Sequence, residues 1–109
     1  MPNQFNIKYT QDFINELNEI YQYLSRKESE RIARKFAKAV DDKTYQIERN
    51  PYAFSVEPQL PSKRKIYRRA IVMKSWKIVY RITKHQLTIL GIAHGARNPS
   101  VIRSFRKRR

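Results

Sequence analysis

The chain has 109 residues, 40% hydrophobic and 12% aromatic, with a formal net charge of +15 and no cysteine. That size and composition give one domain with one modest core, exclude a disordered chain, and rule out a disulfide framework, a thiolate metal site and a Cys nucleophile. Two His residues are too few for a zinc site, and no apolar run approaches the roughly 18–20 residues needed to span a bilayer.

The opening MPNQFNIKYT lacks the apolar core of a signal peptide. The expectation is a cytoplasmic protein with no membrane contact, no cofactor and no metal. The charge is unevenly placed. Residues 1–57 hold nine Lys/Arg and all nine Asp/Glu, whereas residues 58–109 hold fifteen Lys/Arg and no acid. A uniformly cationic half draws polyanions or acidic proteins and speeds their association.

Taken in order, Phe5, Ile7 and Tyr9 alternate with Gln4, Asn6 and Lys8, which predicts a short half-buried strand. Thr10 is the expected N-cap of a first amphipathic helix, Gln11 to about Leu24, with a stripe of Phe13, Leu17, Ile20 and Leu24. Ser25-Arg-Lys-Glu28 has the capping-box pattern and is expected to start a second helix, striped by Ile32, Phe36, Val40 and Ile47 and ended by Asn50-Pro51. Residues 51–65 hold three of the five Pro and form a loop, with Tyr52, Phe54 and Leu60 expected against the core edge.

Three β-type runs follow: Ile66–Val72, Trp76–Ile82 and Leu87–Ala93, linked by Met73-Lys-Ser75 and Thr83-Lys-His-Gln86. Alternation sends Trp76, Ile78, Tyr80 and Ile82 one way and Lys77, Val79 and Arg81 the other. This predicts an antiparallel meander with one face on the core and one cationic face open to an anionic partner. Lys77 and Arg81 lie across from either Arg68 or Arg69, depending on register. Ser100 is expected to cap a short helix to about Phe105, with Arg106–Arg109 as a frayed basic tail. The whole is one α+β domain, 1–109, of order β-α-α-β-β-β, its α-hairpin packed on a small antiparallel sheet and residues 99–109 a basic C-terminal appendage.

The strand, the charged hairpin ending in Asn50-Pro51, the Arg68-Arg69-Ala70 triplet and the successions Trp76–Ile82 and Leu87–Pro99 resemble the RelE/ParE superfamily of bacterial type II toxins. The I-x-Y-R-I…I-L-x-I-x-H-x-x-R-[DN]-P pattern is similar to the ParE-like branch, with Asn98 where many relatives carry Asp. The resemblance implies a growth-inhibiting toxin held silent by a cognate acidic antitoxin. ParE-like members act on DNA gyrase without a catalytic set. RelE-like members cleave mRNA on the ribosome by metal-free attack of the 2′-hydroxyl.

Such cleavage needs a proton acceptor, cations for the phosphate charge and an acid for the leaving oxygen. Arg69, Arg81, His94 and Arg97 are the candidates for that chemistry. Arg68, Arg69, Lys74, Lys77, Arg81 and Arg97 are the candidates for holding an anionic target. His94 has the right unperturbed pKa for proton transfer, and its plainer role is a structural His bonded to a loop carbonyl. His85 reads as a solvated turn residue, and Arg97 either contacts a partner or pins the C-terminal loop. RelE-type nucleases tend to carry a Tyr at the end of the last strand, where this chain has Gly95 and Ala96, so the ParE-like branch is favoured. A basic nucleic-acid-binding module without toxicity is the remaining alternative. An open sheet edge and a hairpin groove are the expected antitoxin contacts.

Overall fold

The computed structural model describes residues 5–109; Gln4 of the predicted first strand lies outside them. The elements are β1 (Asn6–Tyr9), α1 (Gln11–Lys27), α2 (Glu30–Arg49), β2 (Tyr67–Val72), β3 (Trp76–Ile82), β4 (Gln86–His94) and α3 (Pro99–Ser104), with 3-10 turns at Pro51–Ala53 and Phe105–Lys107. The α+β order matches the expectation. The sheet runs β1-β4-β3-β2: the meander is antiparallel, and β1 joins β4 in parallel, which makes the sheet mixed.

Thr10 caps α1 as expected. Its Oγ1 accepts from the Phe13 amide at 3.0 Å and donates to the Leu90 carbonyl at 2.7 Å, which anchors the helix start to β4. The hairpin turn falls later than the capping-box pattern indicates. The Glu28 and Ser29 amides both donate to the Leu24 carbonyl, so α1 runs on to Lys27 and Ser29, not Ser25, caps α2 by accepting from Ile32 N. The Ser25 hydroxyl instead donates across the turn to Glu30, as does the Tyr21 hydroxyl, each at 2.6 Å. Together these donors hold the Glu30 carboxyl below its usual range.

The helices bury their stripes on one face of the sheet. Phe36, Ile47, Ile78, Leu87 and Ile89 are fully buried there. Covering a phenylalanine such as Phe36 in this way stabilises by about 1.5–3 kcal/mol. Tyr80 lies on this face, as expected, and its hydroxyl donates to the Pro51 carbonyl at 2.7 Å. Burial pushes its phenol up from the ordinary value. Tyr9 donates to Glu48, and burial first, with that carboxylate second, raises its pKa to about 12. Trp76 packs on the same core at its rim, edge-on to Phe36.

The opposite face is not open. Leu60, Tyr67, Val79, Leu90, Ala93, Ile102 and Phe105 form a second buried cluster there, built by the 51–65 loop and the C-terminal segment folding over the strands. Leu60 thus reaches a core the alternation did not indicate. Phe54 is half-buried against the main core, and Tyr52 is 60% exposed rather than tucked against it. Among the described residues no helix is long and apolar enough to cross a membrane.

Candidate functional site

The sequence points to the cationic side of the meander, so its side chains come first. The register sets Arg69 opposite Val79, Lys77 opposite Ile71 and Arg81 opposite Tyr67, all on the side away from the helices. Arg68 pairs with Tyr80 and so belongs to the helix-facing side. Its guanidinium donates to the Phe54 carbonyl at 2.8 Å and lies 5.3 Å from the Tyr52 ring centroid.

The three far-side cations are engaged internally. Residues 55–57 run beside β2, with Arg69 N donating to Ser55 O and Glu57 N donating to Tyr67 O. That pairing carries the Glu57 carboxylate under the sheet, where its side chain is fully buried. Lys77 Nζ meets Glu57 Oε1 at 2.8 Å, Arg69 Nη1 approaches the same oxygen at 3.8 Å, and the Gln59 amide donates to Oε2 at 2.8 Å. A buried carboxylate needs such partners to remain charged, and it neutralises in turn the cations predicted to face an anionic target. Arg81 donates to the Arg108 carbonyl at 3.1 Å. The expectation of an open cationic slab is therefore corrected.

The basic tail is ordered, contrary to expectation. Asn98, rather than Ser100, caps α3, and Pro99 begins it. Ile102 and Phe105 then drop onto the sheet, and Arg106 stacks over Tyr67 at 4.9 Å. Arg108 reaches round the edge of β4, where β1 pairs no further than Ile89. Its guanidinium forks onto Glu16, with contacts of 3.0 and 2.9 Å, and also donates to the Leu90 carbonyl at 3.1 Å. Glu16 completes the edge by accepting from Ile92 N at 3.1 Å. Gly91 makes room for this arrangement. A Cβ there would sit 2.3 Å from Arg108 Nη1 and 2.7 Å from the Phe105 ring.

The remaining candidates gather at one end of the sheet, on its helix-facing side. In β3–β4 pairing Val79 faces Gly91 but Tyr80 faces Ile89, so Leu90 is an extra residue in β4. This bulge inverts the alternation beyond it and sets His94 opposite Trp76. His94 stands edge-on to the Trp76 ring at 5.1 Å, and its Nδ1 accepts from the Ala96 amide at 3.0 Å. The partner is a loop amide rather than a loop carbonyl, and it leaves the ring's own proton on Nε2. His94, Arg97, Ser75 and Trp76 line a groove of about 560 Å³ with Ile20, Tyr23 and Leu24 of α1. Lys74 sits in the adjoining β2–β3 turn at positive φ and is exposed, as is Arg97.

The predicted residues are thus divided. His94 and Arg97 stand at the groove, while Arg69, Lys77 and Arg81 lie across the sheet. Arg81 is five residues along β3 from Trp76, a span of roughly 17 Å. No group of His, Asp and Glu among the described residues is arranged to hold a metal. The residues missed by sequence reasoning are Glu57, Glu16 and Arg108, which join segments far apart in the chain. Gly91, a glycine inside a strand, was the one local signal of a bulge and a close approach.

Residues 7–99 match the family described as ParE toxin of type II toxin-antitoxin system, parDE. No curated protein matches the sequence. Among solved structures, a chain of the chromosomal ParDE system from P. aeruginosa superposes with a TM-score of 0.67 at 15% identity, covering 84% of this chain and 96% of its own. The E. coli DinJ–YafQ complex gives 0.55 at 19% identity, with 85% and 94% covered. YafQ from E. coli strain BL21(DE3) gives 0.52 at 24% identity, with 85% and 96% covered. These likenesses establish the shared fold. With a family match spanning most of the domain, the chain belongs to the ParE toxin family of type II toxin–antitoxin systems.

Proposed function

We propose that this toxin inhibits DNA gyrase by binding it, and that a cognate acidic antitoxin neutralises the toxin. The observation that carries this reading is the β4 bulge, which turns His94 to the helix-facing side and separates it from Arg69 and Arg81, leaving Arg97 as the one cation of the candidate cleavage set in its groove. One scissile phosphate spans only a few ångströms, so a proton-transfer group and its charge-stabilising cations must converge within hydrogen-bond reach of it. Here Arg69 and Arg81 stand across the sheet from His94, Lys77 and Arg69 are already satisfied by Glu57, and Arg97 alone of the candidate cleavage set remains beside the imidazole. Family membership supports a partner antitoxin. A chain of net charge +15 favours an acidic one, whose negative charge steers association.

The test sets purified gyrase beside a cell-free translation reaction. The expected result is loss of supercoiling activity, with mRNA left intact. Cleaved mRNA with unaffected gyrase overturns the proposal. A His94→Ala variant sharpens it: toxicity on induced expression should persist, because no proton transfer at that imidazole is required.

A further inference from the structure

At the end of the sheet opposite His94, a second cavity of about 360 Å³ is lined by Tyr52, Arg64, Ile66, Thr83 and Lys84. No acid lines it. Tyr52 supplies an aromatic wall that is 60% exposed, the most exposed of the large hydrophobic side chains described. The ring is held from behind. Pro51 is buried, and its carbonyl accepts from the Tyr80 hydroxyl. The Arg68 guanidinium packs 5.3 Å from the Tyr52 centroid, and its hydrogen bonds go to backbone carbonyls, which leave its charge unneutralised. The cavity therefore presents a pre-positioned aromatic face, two lysine/arginine heads at its rim and a hydroxyl.

We propose that this cavity is a binding site for single-stranded nucleic acid, with one unstacked base against Tyr52 and the adjoining phosphates on Arg64 and Lys84. Cations alone would suit any polyanion. The exposed, backed aromatic ring is the feature that selects a base, and it requires one free of its helical neighbours. The volume suits roughly one nucleotide. The site lies apart from the His94 groove and does not depend on gyrase being the target.

The test is binding of a fluorescently labelled oligothymidylate of about ten nucleotides to the full-length chain. Tyr52→Ala should weaken binding roughly tenfold, while Tyr52→Phe retains it. Arg64→Ala with Lys84→Ala should weaken binding and flatten the dependence of log affinity on log salt by about 1.4. Lys27→Ala with Lys35→Ala removes the same charge from the exposed helical surface and should change binding little. Circular dichroism verifies that each variant is folded. The proposal is overturned if Tyr52→Ala binds like the parent, if the helical pair of substitutions matches the rim pair, or if an acidic peptide, a duplex of equal length or a mononucleotide binds as tightly as the single strand.

Discussion

On the helix-facing side of the sheet, Phe36, Ile47, Ile78, Tyr80 and Leu87 pack together in a largely apolar core. On the other side, a smaller cluster of Tyr67, Val79, Leu90, Ile102 and Phe105 shares its space with Lys77, Arg69 and the buried Glu57. The first face is covered by two long helices, each with a continuous stripe. The second is covered by a loop and a six-residue helix, and these are fastened by charged hydrogen bonds at their margins. The difference is instructive. Area buries the helical side, whereas a few named polar contacts hold the other, so single charge changes should disturb only the second.

The largest effect is expected on the first face. Phe36→Ala should cost about 3–5 kcal/mol, since a fully buried aromatic leaves a cavity the helices cannot close. Denaturant unfolding would show a large fall in midpoint at unchanged slope. Next, Glu57→Gln should cost about 2–3 kcal/mol, because Lys77, whose side chain is only 12% exposed, loses its counter-charge. A loss equal to that of Phe36→Ala would break the distinction between the faces. The smallest is Arg108→Ala, at about 1 kcal/mol, since its fork on Glu16 is partly solvated. Its sharper signature is local: amides of residues 99–107 should exchange faster with solvent while those of α2 do not. Uniform exchange across the molecule would show that the C-terminal cover is no separate unit.

Much of the fold was legible because it is written in periodicity. The stripes of α1 and α2, the meander and its turns, and the inward placement of Trp76 and Tyr80 all follow from local spacing. The hairpin turn was misplaced because Ser25 and Ser29 are both competent caps, and in the folded chain the Glu28 and Ser29 amides close α1 on the Leu24 carbonyl, which leaves Ser29 to cap α2. The candidate site was less legible. Alternation put Lys77 and Arg81 on the correct side but did not show that the side was occupied. It gave no side for His94, whose placement is set by the one extra residue in β4 that reverses every later side chain.

By itself, the sequence determined the α+β class, the order of its elements, the cationic second half and the resemblance to a toxin family, since each is carried by neighbouring residues or by composition. Tertiary structure alone decided which charges are free. Glu57 meets Lys77 from twenty residues away and Arg108 meets Glu16 across ninety-two. Pairings over such separations depend on how the chain closes on itself, which no local pattern of residues records.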